Sequence, residues 1–480
     1  MRRTKIVATL GPATDDPKVL EKLILAGADT VRLNYSHGSH EDQEKRIKLV
    51  QKITDKTGRH VGIMADLQGP KIRIACFKEG SIILEEGDKF SLDSSLKANE
   101  GDQAQVGLTY KKLVDDVKKG DRLMLDDGRI ILEILSVRGT QIKCTVILGG
   151  KLSNNKGLNK EGGGLSAKAL TAKDRKDLKH AIALGVDFIA ISFPRDAADV
   201  ESARRLIKKE GGECRIIAKI ERAEAIENED EIILASDAIM IARGDLGVEI
   251  GDAALPPVQK RLIKKARRMN RAVITATQMM ESMIENHIPT RAEVFDVANA
   301  VIDGTDAVML SAETSVGKYP VVVVESMARI ISETERERGS HGADYRIEQK
   351  FEEIDETIAM STMYAANHMK AKAIAAFTET GSTTKWMSRT RSGIPIFAFT
   401  RSSKTCRRVS LFRGVYPFLY DITHSDFLEV NKEMINILKD RNVVVNGDIV
   451  IITKGDLHGS TGGTNGMKIV RVGELVERRH

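Results

Sequence analysis

The chain has 480 residues, 41 % of them apolar, 30 % charged and only 4 % aromatic, a globular composition that excludes collagen, coiled-coil rods and mucin-like stalks. Lys and Arg number 74 against 68 Asp and Glu, a formal +6; an excess this diffuse excludes a nucleic-acid footprint and suits small anionic ligands. The length argues for about three domains, and no apolar run approaches the length of a membrane span.

In the first 70 residues, Lys5–Leu10, Asp29–Asn34 and His60–Asp66 read as strands and Pro17–Ala26 and Glu41–Lys56 as helices. Asp16 and Pro17 form an N-cap and N1 pair, and Gly27 and Gly58 stand where helices should end. This βαβαβ order is the signature of a parallel sheet. From Lys71 to Leu170 the pattern changes to strict alternation with turn punctuation, as in Lys71–Phe77, Arg122–Leu125 and Gln141–Ile147, with Asp127-Gly128 as a hairpin signal.

The α/β rhythm resumes with helix Ala172–Leu184 and strand Val186–Ser192. It continues through strands Arg215–Ile220, Asp237–Ala242, Arg271–Thr275 and Asp306–Leu310. Three strands before the insertion and five after it make eight, which close as a (β/α)8 barrel with its site at the C-terminal strand ends. The expected organisation is a barrel over residues 1–70 and 171–340, an inserted β-barrel lid over 71–170, and a C-terminal α/β domain over 341–480, with Gly339-Ser340-His341-Gly342 as the linker. In that last block the strands are Lys372–Thr378, Pro395–Thr400, Val415–Tyr420, Asp448–Thr453 and one near Met467–Val472, with helices Glu356–His368 and Phe427–Lys439.

Polar residues collect at the barrel strand ends. Arg32, Asn34 and Ser36 alternate onto one face of strand 2; Asp66-Leu67-Gln68-Gly69-Pro70-Lys71-Ile72-Arg73 follows strand 3; Lys219 and Glu221 share a face of strand 5; Arg243-Gly244-Asp245 follows strand 6 and Ala276-Thr277-Gln278 strand 7. Each has a structural alternative: Lys219 and Glu221 as an ion pair, Asp245 as a helix cap, Gly162-Gly163-Gly164 as a linker. Five clusters at one end of one barrel favour a functional site. Glu221 and Asp245, with no histidine or cysteine beside them, make a hard oxygen site for Mg²⁺ or Mn²⁺. Lys219, Arg32 and Arg73 would neutralise phosphate or enolate charge. The widely spaced Cys76, Cys144, Cys214 and Cys406 argue against structural zinc and for a reducing compartment. With no signal peptide after Met1-Arg2-Arg3, the chain reads as soluble and cytoplasmic.

The segments Ala218-Lys219-Ile220-Glu221, Met240–Ile250, Ala276–Met283 and Pro289–Glu293, in this order, closely resemble the pyruvate kinase family, and the likeness covers essentially the whole chain. It implies transfer of phosphate from phosphoenolpyruvate to ADP, giving pyruvate and ATP. By the resemblance, Glu221 and Asp245 hold the divalent metal, Lys219 stabilises the phosphoryl group and enolate, and Arg32 contacts phosphate. Gly244, Asp245 and Thr277 bind the substrate carboxylate region, with Thr277 also near the proton path to C3. Asn34, Arg73 and Lys156 face the nucleotide. Asn34, Ser36, Asp66 and Leu67 match the monovalent-cation site or its remnant. Potassium-dependent members carry a threonine where Leu67 stands and a glutamate where Lys71 stands, so the resemblance speaks against dependence on K⁺.

The turn Thr378-Glu379-Thr380-Gly381-Ser382-Thr383 opens a helix, a setting that favours phosphate. By the resemblance, Thr378, Thr380, Gly381, Ser382 and Thr383 receive a sugar-phosphate effector under a loop at Gly455–Gly466, with ribose 5-phosphate favoured over fructose 1,6-bisphosphate, and the assembly is a homotetramer. Two rival readings are a metal-dependent lyase acting through pyruvate enolate and a sugar-phosphate sensor without activity. The lid motif Gly69–Arg73 and the C-terminal block weigh against the first, and intact Lys219, Glu221, Asp245 and Thr277 against the second.

Overall fold

The computed structural model describes residues 1–337, 351–421, 427–455 and 463–474. The expected linker at Gly339–Gly342 lies outside the described residues, as does most of the Gly455–Gly466 stretch.

Eight parallel strands close into a barrel as expected: Lys5–Thr9, Thr30–Asn34, Gly62–Asp66, Phe188–Ile191, Arg215–Ile220, Ala238–Ala242, Ala272–Ala276 and Ala307–Leu310. They read as almost continuous apolar runs because both faces are covered. Val7, Met64, Ala190, Ile217, Met240 and Ile274 pack together inside, while alternate residues such as Ile6, Ile63, Ile216 and Ile239 pack beneath the helices. The interior is thus a filled core and not a pore. The helices start where their caps dictate: Asp16 accepts from the Lys18 N–H, and Ser39 with Asp42, Thr171 with Asp174 and Thr290 with Glu293 form reciprocal boxes.

Between the third and fourth barrel strands lies the lid. A six-stranded sheet and the two-stranded ribbon of Ser81–Leu84 and Gly150–Ser153 curl round one apolar core that includes Leu84, Phe90, Leu123, Leu132, Val146 and Leu152. The hairpin at Asp127-Gly128 forms, with Asp126, Asp127 and Gly128 all at positive φ between paired Leu125 and Ile130. The expected strand at Lys71–Phe77 does not. Only isolated bridges tie Arg73 to Gly157, Ile74 to Leu108 and Phe77 to Gly101, because this segment is the link by which the lid leaves the barrel, and its alternation serves burial of Ile72, Ile74 and Phe77 in the lid core.

The C-terminal block is a five-stranded sheet in the order Val415–Leu419, Ile396–Thr400, Ala373–Phe377, Ile449–Lys454 and Gly466–Arg471, parallel except at the last strand. It docks on the floor of the barrel, opposite the strand ends that carry the polar clusters. Leu411 joins the cluster inside the barrel and Phe412 packs against it.

The floor follows a rule written in the sequence. An aspartate stands one residue before each even-numbered strand, Asp29, Asp187, Asp237 and Asp306, and its carboxylate accepts the N–H of Ile6, Ile63, Ile216 or Val273 in the preceding odd strand. Each is also paired with a cation: Asp29 with Arg2 at 2.8 Å, Asp187 with Arg407 at 3.0 Å, Asp237 with Arg204 and Arg215 at 3.2 Å, and Asp306 with the buried Arg389. The four carboxylates therefore fix strand register, and two of them, Asp187 and Asp306, also dock the C-terminal block through charge-assisted hydrogen bonds shielded from water.

Candidate active site

At the opposite end of the barrel the strand ends converge on a row of buried charge. The Arg32 guanidinium donates to Asp66 at 2.6 Å, and the Lys219 ammonium lies 3.3 Å from the other Asp66 oxygen and 2.9 Å from Glu221. Asp66 and Glu221 are both only 1 % exposed. Burial works against the charged Asp66, yet Lys219 and Arg32 hold its carboxyl below the ordinary range. Burial would likewise lower Lys219, but Asp66 and Glu221 outweigh it and raise the ammonium. Burial and then the facing Asp245 carboxylate push Glu221 up against the pull of Lys219.

Asp245 sits in the first turn of the helix Arg243–Ile250, which begins directly after the strand Ala238–Ala242. The Asp245 carboxylate disfavours the charge on Glu221, and a small divalent cation held by the two would relieve that repulsion. The donor set therefore fits a hard cation with positions left for substrate oxygens. The Lys71 ammonium, at the root of the lid, reaches Asp245 at 3.1 Å.

Thr277 and Gln278 follow strand 7 at φ +68° and +53°, a costly backbone for a β-branched residue. Arg243 sustains it. Its guanidinium donates to the carbonyls of Ala276 and Thr277 and is clamped by Asp296, with both contacts at 2.7 Å. The Thr277 hydroxyl accepts the Gly244 N–H at 2.9 Å and donates to the Ala276 carbonyl. Strand 6 and strand 7 are thus joined across the mouth.

Several residues that complete the site were not singled out by sequence. Ser192 receives a hydrogen bond from Lys219 at 2.8 Å and donates to the Leu67 carbonyl at 2.7 Å. Phe193, at φ +56°, turns its N–H onto Glu221 at 2.9 Å. Glu313, pushed up by burial, accepts from the N–H groups of Met280 and Ser311 and so holds the loop after strand 7 to the end of strand 8. The only sequence signal for the first pair is a polar residue at the end of strand 4, in Ile191-Ser192-Phe193-Pro194.

Other expected site residues make contacts of their own. The Asn34 side-chain Oδ1 accepts the Ser36 N–H, and the Leu67 N–H donates to the Ala190 carbonyl. In the lid, Arg73 donates to the Asn155 carbonyl at 2.9 Å and Lys156 pairs with Asp126 at 2.8 Å. The Thr378–Thr383 turn is at the C-terminal sheet. There Thr378 accepts the Gly381 N–H, Ser382 donates to Asp355, and Thr383 shares a hydrogen bond with Thr464.

Two families match in sequence: the barrel domain of pyruvate kinase over residues 1–324 and the pyruvate kinase alpha/beta domain over residues 356–470. The chain is 53 % identical to pyruvate kinase II of Salmonella typhimurium over 476 residues, covering 98 % of this chain and 99 % of the relative. It is 53 % identical to a pyruvate kinase of Haemophilus influenzae, covering 95 % and 96 %. The crystal structure of a pyruvate kinase from Cryptosporidium parvum superposes with a TM-score of 0.91 at 33 % identity, covering 98 % of this chain and 96 % of that one.

The strap by which the lid returns to the barrel is held by Glu249 and Glu224. Gly162 donates to the Glu249 carbonyl and Gly164 to the Glu224 carboxylate, and a Cβ on Gly163 would stand 2.5 Å from that carboxylate. Glu249 is buried between the Ala223 N–H and the Asn159 amide, and burial, reinforced by Glu224, pushes its carboxyl up to about 7. The folded state therefore holds an extra proton between the ordinary glutamate value and pH 7, and the charged form carries its full penalty only above pH 7. Glu249→Gln, whose oxygen keeps the Ala223 hydrogen bond, is expected to raise stability by up to about 3 kcal/mol at pH 8 and by less than about 0.5 kcal/mol at pH 4.5. Thermal midpoints of both proteins at the two pH values check this; an equal difference at both would contradict it.

Proposed function

The chain belongs to the pyruvate kinase family and is a phosphotransferase that moves the phosphoryl group of phosphoenolpyruvate to ADP, giving pyruvate and ATP in the final step of glycolysis; on that premise we propose that this reaction takes place at the Arg32–Asp66–Lys219–Glu221 row. Members of the family generally work with Mg²⁺. Bound by Glu221 and Asp245, such an ion would supply positive charge shared by the substrate's carboxylate and phosphate.

The observation that carries the reading is the Lys219 ammonium, held between Asp66 and Glu221 at the barrel mouth. It is kept charged in a dry site, where a fixed cation is worth most to the transferring phosphoryl group and to the enolate oxygen left behind. Arg32, oriented by Asp66 and Thr9, binds the phosphate from the barrel side. Thr277, with Gly244 and Asp245, binds the carboxylate end of the substrate and borders the path of the proton to C3. Arg73, Lys156 and Asn34 serve the nucleotide, with Arg73 and Lys156 carried in by the lid. The balance is one phosphoryl group to ADP and one proton to C3 of the enolate.

Regulation and assembly follow the same family reading. A sugar phosphate, a monophosphate before a bisphosphate, binds the turn containing Thr378, Thr380, Gly381, Ser382 and Thr383 and favours the active arrangement of a cytoplasmic homotetramer. Support for assembly comes from apolar side chains left on the barrel surface, with Ile288 74 % and Phe295 70 % exposed. Among the described residues no helix is long and apolar enough to cross a membrane.

Lys71 supplies the reason for independence of potassium. Its ammonium already lies 3.1 Å from Asp245, so a tethered cation takes the electrostatic part that K⁺ would play. Turnover should be near maximal in a potassium-free buffer, and Lys71→Glu should make it rise on addition of K⁺. A strong potassium requirement in the parent protein would refute this.

Lys219→Met keeps the stem and removes the charge, so pyruvate formation from phosphoenolpyruvate and ADP should fall by at least about 10²–10³-fold. Exchange of the C3 protons of pyruvate with solvent should survive, because Thr277 remains. Measured side by side, an equal loss of both would show that Lys219 also handles the proton or only maintains the fold.

A further inference from the structure

Three of the four floor carboxylates lead into the C-terminal block. Asp187 pairs with Arg407 and Asp306 with Arg389, while Asp29 lies 4.0 Å from Lys5, whose ammonium donates to the Val415 carbonyl. Asp237 is the exception. It is taken up by Arg204 and Arg215 of the barrel, and between it and the C-terminal block lies a cavity of about 90 Å³. One water needs only about 10–15 Å³, so the cavity has room for a tetrahedral oxyanion.

Its walls are cationic. Arg215 and Arg271 border it from the barrel, Lys385 and Arg408 from the C-terminal block. Among the described residues no carboxylate lies within ion-pair distance of Arg271, Lys385 or Arg408. Arg271 donates to the carbonyls of Ile233, Leu234 and Met269. Arg408 donates to the Glu213 carbonyl, and its buried Nε has no partner among the described residues. Among the described residues the Lys385 ammonium makes neither a hydrogen bond nor an ion pair; it rests 4.3 Å from the centroid of the Trp386 ring. Burial, and then repulsion by Arg271, Arg389 and Arg215, pushes that ammonium down to about 8. Cations gathered in a hollow around a carboxylate that is already shared are unfavourable until a further anion joins them.

We propose that this cavity between barrel floor and C-terminal block is a binding site for a phosphate or phosphomonoester group, gripped by Lys385, Arg408, Arg271 and Arg215. Bound there, the anion links the two blocks at the fourth floor position, as Arg389 and Arg407 link them at two others. The turn Thr380-Gly381-Ser382 forms part of the wall, but none of the gripping cations belongs to it. The site therefore stands whether or not that turn also receives an effector.

Trp386 is the sole tryptophan of the chain and reports on Lys385 directly. Sodium phosphate, titrated into the full-length protein at constant ionic strength against sodium chloride, should change Trp386 emission with saturation. Lys385→Met and Arg408→Gln should each raise the half-saturating concentration about tenfold or more, the loss of one charged contact. Arg32→Gln, at the far end of the barrel, should leave it unchanged. Melting curves establish that the variants fold, and the upward shift of the melting point by phosphate gives a second readout independent of the lysine beside the tryptophan. No saturable change, a response that both cation variants retain, or one that Arg32→Gln abolishes would overturn the site.

Discussion

A single buried carboxylate, Asp66, organises the reactive end of this molecule. Arg32 and Lys219 arrive from different strands, and each alone would be an uncompensated charge in a dry barrel mouth. With Asp66 between them they become fixed, charged and correctly spaced. Glu221 then completes the row, kept in position by Lys219 and by the Phe193 N–H. The barrel makes this possible because parallel strands bring residues distant in sequence to one rim, and hydrogen bonds there need no help from solvent. Rigidity extends to the neighbouring loops: Arg243 with Asp296 sustains the strained Thr277 turn, and Glu313 ties the next loop to strand 8. Pre-organised charge of this kind is what phosphoryl transfer demands, since the protein makes and breaks no bond of its own.

The barrel floor applies the same chemistry to a different end. Four aspartates, each one residue before an even strand, accept a neighbouring strand's N–H and engage a cation, three of them leading into the C-terminal block. Strand register, barrel closure and docking of the C-terminal sheet are consequently coupled. At their other ends these strands carry Lys219 or lead directly into Glu221, Asp245 and Thr277.

Much of this was legible in the sequence because it rests on short-range pattern. The eight-strand count, the helices with their caps and the period-two pair Lys219 and Glu221 are all local signals, and apolar runs covered on both faces leave little alternative to a parallel barrel. What escaped was set by tertiary geometry. Nothing in a bulky Phe193 announces positive φ, and Arg243, read only as part of a polar strand end, instead carries the backbone of Thr277. The alternation at Lys71–Phe77 mimicked a strand although the segment serves as the lid's root. The floor aspartates lay open to view in Ala28-Asp29, Val186-Asp187, Ser236-Asp237 and Thr305-Asp306, but a residue outside a strand draws no attention until its carboxylate is seen on the neighbouring strand.

The account turns on Glu221 and Asp245 as a metal-holding pair poised beside Lys219. The most direct measurement is a titration of the full-length protein with Mn²⁺, following the free ion by electron paramagnetic resonance in the absence of substrate. Glu221→Gln and Asp245→Asn should each weaken binding by at least about tenfold, while Glu224→Gln, at the lid strap, should leave it unaltered. Equal affinity in the parent and in both mouth variants would contradict the account.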